Sequence, residues 1–345
     1  MINKTFRKLT YLLVSIFCAS GSLSAATEYE IQDIGTLQTH SSRPIALNNQ
    51  SEILGVYNLD GSKDGECVFL RDKEGYFSEL PSIVDGISVN WEYLTNNSTV
   101  YGTYRAGHYT TLFMWDQENG AVNLGNLPGK EISAIIDAGQ VLIKHVSERV
   151  NGESISYPVI WNNGEITKLE GLVGEGGIPS DAATGLDLNN HGDVVGHSVV
   201  YKIYKNNLYK QTHATKWVNG QAIDLHETVP KTDSTSASVI NDLGELIVGA
   251  YLVDQDGNMT PSGNYSSFKM TDSRYVYNQN QLYNKNLELV LANGHIHAAM
   301  MKDRESIWLS CVKFVDINDN GVIIAEGKTI YGEEHALLLF PVDAE

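Results

Sequence analysis

Four short stretches hold residue types whose spacing could do chemistry. Asp316-Ile317-Asn318-Asp319-Asn320-Gly321 matches the first half of a calcium loop, D-x-[DN]-x-[DN]-G. Such a loop needs a bidentate carboxylate at its twelfth position, and that position is Gly327, with Glu326 one residue short. The stretch therefore reads as a turn in which Asn and Asp bond back to the local backbone, and the Asp254–Asn258 loop is a weaker case of the same kind. His295-Ile296-His297 would place two imidazoles on one face of a strand, a spacing zinc can use, but no third ligand stands at a recognisable distance. Gly171-Leu172-Val173-Gly174-Glu175-Gly176-Gly177 is glycine-rich, yet it has no Lys or Ser/Thr partner and opens no helix, so it fails the phosphate-loop patterns. No G-x-S-x-G elbow occurs, and the carboxylates follow no pattern that singles out an acid–base pair. The sequence thus assigns no catalytic residue, no metal ligand and no cofactor.

The fourth stretch is a candidate for binding. Between Val200 and Thr212, Tyr201, Tyr204 and Tyr209 lie beside Lys202, Lys205 and Lys210, a basic, aromatic patch on an acidic chain. It suits a protein or glycan ligand. The plainer alternative is an ordinary hairpin with solvated ends. Other long or irregular connections run over Tyr57–Glu66, Ser147–Tyr157 and Val253–Tyr265.

The elements that would position these residues form a repeat. Leu188-Asn189-Asn190-His191-Gly192-Asp193-Val194-Val195-Gly196 has the pattern of two short strands around a tight turn. The pattern returns at Leu47–Gly55, Leu94–Gly102, Ile135–Leu142, Ile240–Ile247 and Ile317–Ile324, giving six copies. A second column follows most of them: Cys67–Arg71, Thr111–Trp115, Tyr157–Trp161, His213–Trp217 and His335–Leu339. Asn119-Gly120, Asn163-Gly164 and Asn219-Gly220 come next, a signal for type I′ hairpins because both residues tolerate positive φ. Further strands end at Leu80, Leu124, Leu169 and Leu225. Four short strands recurring at a spacing of about 40 to 55 residues indicate propeller blades. Residues that recur once per blade, such as His213, His335 and the tryptophans, are structural: Trp115, Trp161 and Trp217 close apolar strands, and burying each ring contributes about 1.5–3 kcal/mol.

The fold expected is therefore all-β, a propeller of about six four-stranded blades, with seven as the alternative. The choice turns on the stretch between Asn241 and Asn318, where the motif skips 77 positions and residues 273–310 form either one elaborated blade with connections or a degenerate seventh. Tyr29–Leu37 reads as a fourth strand without a blade, and the chain ends just after Leu339-Phe340, a third strand without its fourth. Pairing Ile31–Leu37 with Ala336–Phe340 would supply each with what it lacks and remove two open edges.

Set side by side, the two motifs resemble the HAF-repeat family of extracellular bacterial proteins. Leu188–Gly196 followed by His213–Leu225 is the nearest copy, and His335-Ala336-Leu337 fits as well. Thr215 and Leu337 stand where the signature has Phe, and Cys67 where it has His. The resemblance covers most of residues 29–341 and is weakest around 255–310. It implies a secreted β-propeller-like repeat and no reaction, since function belongs to sites and not to folds.

Composition agrees with export and narrows the partners. Lys4, Arg7 and Lys8 precede the apolar run Leu9–Phe17 and the small residues Ser24-Ala25-Ala26, the layout of a secretory signal peptide over residues 1–26. The remaining 27–345 are expected to form one propeller domain, extracellular or periplasmic, acting as a monomer. The run is shorter than the roughly 20 apolar residues of a membrane span, and no second stretch could span. The net charge of −18 becomes −21 once three basic residues leave with the leader. A surface that acidic repels nucleic acid, which is bound through Lys and Arg. Cys67 and Cys311 are too few for a disulfide-built scaffold. A bond between them is the less expected state. The function expected is non-enzymatic binding through propeller loops. The alternative is a secreted polysaccharide hydrolase or lyase with carboxylates gathered at the channel mouth.

Overall fold

The computed structural model describes residues 12–14, 28–35, 41–58, 66–107, 109–230, 234–261, 269–271, 275–283, 289–292, 308–329 and 333–342. Its sheets number seven with at least four strands, each an antiparallel meander, besides one two-stranded ribbon (Ile83–Val84 with Ile87–Ser88). The fold is a seven-bladed β-propeller. Blade one runs over 41–80, blade two over 90–127, blade three over 132–168 and blade four over 183–224. Blade five spans 237–261 and blade six 269–292; blade seven combines 308–342 with the N-terminal strand Glu28–Gly35. Among the described residues no helix is long and apolar enough to cross a membrane.

Blade six settles the choice left open between six and seven. It is the sheet Lys269–Met270, Val276–Tyr277, Gln281–Tyr283 and Leu289–Ala292, whose strands are two to four residues long. Strands that short carry too few alternations to show a period, and the sequence between Met270 and Val276 has no Asn-Asn-x-Gly. His295 and His297 lie outside the described residues.

The chain divides into two compact units: residues 1–82, 91–100 and 273–345, and residues 83–90 and 101–272. Within the first, the expected closure is present. Ile31 pairs with Leu339, Asp33 with Leu337 and Gly35 with Ala336, antiparallel, so the N-terminal strand is the fourth strand of blade seven. Leu12–Val14, inside the expected leader, pairs in turn along Tyr29–Ile31. The core beneath this sheet gathers Tyr29, Ile31, Phe314, Ile323, Leu337 and Leu339, all buried.

The closure also repeats the chemistry of an internal blade. In the second unit, His213 Nδ1 bonds Asp224 on the next strand at 2.8 Å, and the Ala214 N–H donates to Thr235 Oγ1 at the start of blade five. In the first unit, His335 Nδ1 bonds Asp33 at 2.9 Å and the Ala336 N–H donates to Ser42 Oγ at the start of blade one. The His-Ala signature is thus a packing device: the imidazole ties two strands of one blade, and the next residue ties that blade to its neighbour.

The turn motif does the same at the other end of the strands. Asn48, Asn189, Asn241 and Asn318 are each at most 4% exposed. Asn189 Oδ1 accepts the His191 and Asp193 N–H groups of its own turn, and its Nδ2 donates to the carbonyl of Asn241 at 3.1 Å. Asn318 accepts from Asn320 and Val322 and donates to the Asn48 carbonyl at 3.0 Å; Asn48 donates onward to Thr95 O at 3.0 Å. The following residue adds a second rung. Asn190 N and Nδ2 each donate to the Asp242 carboxylate at 2.7 Å, and Asp137 N donates to Asn190 Oδ1. Asp319 N donates to Asn49 Oδ1, and Asn49 N to Asn96 Oδ1.

The glycines of the motif follow from this geometry. The fifth position has positive φ at Gly192 (84°), Gly244 (80°) and Gly321 (75°), and Ser51 and Ser98 adopt the same left-handed backbone at 61° and 64°. The last position needs room instead: a Cβ at Gly196 would overlap the Thr184 carbonyl, and one at Gly55 would lie 2.8 Å from the Arg43 carbonyl oxygen.

Asn189→Ala should cost about 3 kcal/mol, because two turn N–H groups lose their acceptor and the Asn241 carbonyl loses one of its two donors. Denaturant unfolding should show this as a lower midpoint at unchanged slope. A loss below about 0.5 kcal/mol, the size of an ordinary surface substitution, would show that the turn amides are incidental.

Candidate binding face

Because neighbouring strands are antiparallel, the second-to-third hairpin of each blade lies at the end away from the Asn turns, beside the connection that enters the blade. In the second unit this end carries two long hairpins. Val141–Val150 and Glu153–Asn162 form one, turning through Asn151-Gly152; Val194–Tyr204 and Asn207–Val218 form the other, turning through Lys205-Asn206. Both turns have positive φ throughout: 53° and 87° in the first, 50° and 62° in the second. That is the type I′ geometry that matches strand twist. Ser147–Tyr157, expected as an irregular connection, and Val200–Thr212, for which a hairpin was the plainer alternative, are therefore strand-built fingers.

The period of two sorts the patch onto two faces. Tyr201 faces Lys210 and Ile203 faces Leu208 on one side; Lys202 faces Tyr209 and Tyr204 faces Asn207 on the other. The six expected binding residues therefore do not share one surface. Tyr201 and Lys210 converge on Asp181, which accepts from the Tyr201 hydroxyl at 2.8 Å and from Lys210 Nζ at 2.6 Å. Burial works against the charge of Asp181, but Lys210 and Tyr201 outweigh it and hold the carboxyl below its ordinary value. The Asp181 carbonyl also accepts from Ser156 N at 3.0 Å, so this residue ties both fingers at their bases. Tyr204 and Tyr209 meet edge to face at 6.4 Å on the other side, and Lys205 Nζ stands 5.1 Å from the Tyr204 ring. Ile203, Tyr204, Leu208 and Tyr209 are 47–60% exposed at the tip.

The glycine-rich stretch braces this finger. The carbonyl and N–H of Tyr201 leave no space for a Cβ at Gly174, and Glu175 Oε2 accepts the Ile203 N–H at 2.8 Å. Gly174 serves this close backbone approach, while Gly176 and Gly177 adopt positive φ, at 71° and 75°.

A second feature lies near the same end, unmarked in the sequence. A cleft of about 480 Å³ is lined by Arg105, Lys130, Glu131, Ile132, Ser133, Lys144 and Leu186. Arg105 lies near the end of the second strand of blade two, Lys130 and Glu131 lie on the connection into blade three, Lys144 is on the second strand of blade three and Leu186 on the first strand of blade four. Lys144 Nζ pairs with Glu131 at 3.0 Å. That hydrogen bond, with the charges of Lys144, His145 and Arg105, holds the Glu131 carboxyl below its ordinary value. These residues are 25 and 14 positions apart at the cations Arg105, Lys130 and Lys144, a spacing no motif encodes. Nothing in the sequence marks them as neighbours.

The remaining chemical candidates resolve into structure. Asp316 accepts from the Tyr277 hydroxyl and the Leu47 N–H, and Asp319 accepts from Asn49 Nδ2, so the half-loop is another repeat turn. Asp254 accepts from Asp256 N and Asn258 N in the same way. Among the described residues, no three His, Cys, Asp or Glu side chains gather as a metal site. Trp115, Trp161 and Trp217 are at most 8% exposed, and the Trp217 indole donates to Glu170 O at 2.7 Å. They are core, not stacking platforms. Asp187, which accepts from Leu188 N and Ile240 N, is pushed up to about 6 by burial. Cys67 is a free, half-buried thiol; burial pushes it up, against a hydrogen bond with Tyr57.

No protein-family profile matches the chain, and a search of curated proteins finds no significant match. Solved structures of similar fold include the acylaminoacyl peptidase of Pyrococcus horikoshii, with a TM-score of 0.52 and 10% identity over 89% of this chain and 52% of that one. An acylaminoacyl peptidase in complex with Z-Gly-Gly-Phe-chloromethyl ketone aligns at 0.51 and 10% identity, covering 88% and 52%. The β-propeller domain of the Trilobed protease from Pyrococcus furiosus aligns at 0.41 and 10% identity, covering 89% and 82%. At such identity the likeness concerns the fold alone. The chain spans about half the length of the two peptidases.

Asp181→Ala should loosen the Val200–Thr212 finger while leaving the blades intact. A largely exposed ion pair contributes at most about 1 kcal/mol, so nicking at Tyr204–Leu208 by a limiting protease should rise by up to about fivefold with the melting temperature nearly unchanged. An unaltered nicking rate would show that Asp181 does not hold the finger.

Proposed function

We propose that the chain is an exported, non-enzymatic binding module that grips a protein partner through the Val200–Thr212 finger. The observation that carries this reading is the composition of the tip. Tyr204 and Tyr209 are half exposed on one face beside Lys202, Ile203 and Leu208 are half exposed on the other, and Lys205 stands at the turn between them. Exposed aliphatics together with tyrosines suit a protein surface better than a sugar face, and aromatic anchors of this kind dominate binding energy. Lysines at the tip of a chain carrying 42 acidic and 24 basic residues select an acidic partner and speed the encounter. The leader-like residues 1–26 and the HAF-like repeat support export.

Binding fits better than polysaccharide hydrolysis, the other reading of the sequence. A hydrolase needs one carboxyl kept protonated and another free to act. At this end of the fold, Glu131 is paired with Lys144 and Asp181 with Lys210, and both are held below their ordinary values.

The test is affinity capture from the secreting cell's surroundings with the mature chain, against Tyr204→Ala/Tyr209→Ala and against a finger shortened to a direct turn. A discrete protein lost with both variants, and rebound as purified protein with a salt-sensitive on-rate, is the expected result. Capture of polysaccharide instead of protein, or a captured protein indifferent to both variants, would overturn the proposal.

A further inference from the structure

We propose that His213 and His226 form an acid-sensitive latch, which holds the connection 225–235 against the root of the finger and releases it when both rings are charged. The two imidazoles stack nearly parallel, with centroids 3.9 Å apart and planes 12° from each other. Both are buried, at 1% and 7% exposure. One lies on the third strand of blade four, the other on the single helical turn His226–Thr228 that opens the path to blade five. Such a contact suits two neutral rings, or one neutral and one charged. Two like charges at that distance, away from water, repel.

Each ring is tied into the joint it guards. Asp224 accepts from His213 Nδ1 at 2.8 Å and from the His226 N–H at 2.9 Å, so one carboxylate spans the strand and the connection. His226 Nδ1 lies 2.9 Å from Thr235 Oγ1, which accepts the Ala214 N–H at 2.9 Å. The Thr235 N–H donates to Thr212 O, and the Leu225 N–H to Ala214 O. Thr212 ends the finger, and Ala214 follows it into the buried blade. With one lone pair of Thr235 Oγ1 taken by the Ala214 N–H, a neutral His226 can receive the Thr235 hydroxyl proton at Nδ1. A proton added to that nitrogen reverses the bond.

The surrounding charges decide which ring is charged first. Asp224 faces His213 directly and supplies its counter-charge. Among the described residues, burial opposes a charge on His226 most, followed by His213 and then Lys202, whereas Asp224 and Glu227 favour one; the balance holds the ring below the ordinary histidine range. His197 pairs with Ala214, on the other face of the sheet from His213, and meets Ser236 at 3.2 Å. Acid therefore charges His213 first, and the second proton reaches His226 only by breaking the stack. An open connection takes up that proton more readily than a closed one. The closed form thus keeps its full stability above about pH 6.5, the ordinary histidine value, and weakens as pH falls below it. Release frees Thr212 O and Ala214 N at the root of the finger. Its effect on partner binding rests on the reading of the finger as a grip; the latch itself does not.

Hydrogen exchange of the full chain tests the latch, read by mass spectrometry at pH 7.5 and 5.5 and corrected for the intrinsic pH dependence of exchange. Protection over 225–235 should fall about fivefold on acidification, while the Ala183–Leu188 strand of blade four keeps its protection. His226→Phe keeps a ring that cannot be charged, and His226→Gln removes the ring. Both should reduce that fall to less than about twofold, with unfolding curves showing the variants folded. Protection indifferent to pH in the unaltered chain, an equal fall in either folded variant, or an equal loss across all of blade four would overturn the proposal. No partner enters the measurement, so its failure is distinct from failure of the capture test.

Discussion

The interaction on which the structure depends is a buried side-chain amide that serves two turns at once. A propeller blade is a small sheet that cannot bury both of its faces alone, so each blade must be held to the next. Asn48, Asn189, Asn241 and Asn318 do this where hydrophobic packing cannot, among the polar backbone groups of the turns. The amide oxygen closes its own turn, and the amide nitrogen reaches the next one. Asn is the one common residue with an acceptor and a two-proton donor on a stem short enough for both tasks. Where it is replaced the contact degrades in kind: Thr95 still accepts the Thr99 N–H through its hydroxyl, while Ile136 only packs.

A turn fixed in this way lets the opposite end vary. The Asn turns are short and alike, whereas the far ends range from the two-residue break at Gly249-Ala250 to the long fingers of blades three and four. Variable connections on a fixed scaffold are where binding residues concentrate. The finger, its Asp181 anchor and the cationic cleft all belong to that end.

Much of this was legible in the sequence because repetition makes the physics visible. Asn189-Asn190-x-Gly192 and its copies marked the turns, the Trp217 column marked the blade cores, and the spare strand at Ile31 marked the closure with Leu339. Blade six was not legible, since strands such as Val276–Tyr277 are too short to show a period and the sequence before them lacks the Asn-Asn pair. The double role of Asn189 was also hidden, because its second bond goes to a backbone carbonyl 52 positions away. The binding patch was half legible. Its residues were found, but the alternation that sends Tyr201 inward to Asp181 and Tyr204 outward appears only once the hairpin register is known. The cleft was not legible at all, because Arg105, Lys130 and Lys144 come together only through the packing of separate blades.

The second rung of the turn ladder gives the most direct test, since it includes a hydrogen bond between two side chains, Asn190 Nδ2 and the Asp242 carboxylate. A double-mutant cycle on Asn190→Ala and Asp242→Ala isolates their coupling from the cost of each substitution. Two hydrogen bonds to a carboxylate, one from the Asn190 side chain and one from its backbone, join the turns of blades four and five. The account predicts a coupling of about 1 kcal/mol or more in denaturant unfolding. Strict additivity of the two substitutions would contradict the claim that these turns hold the blades together.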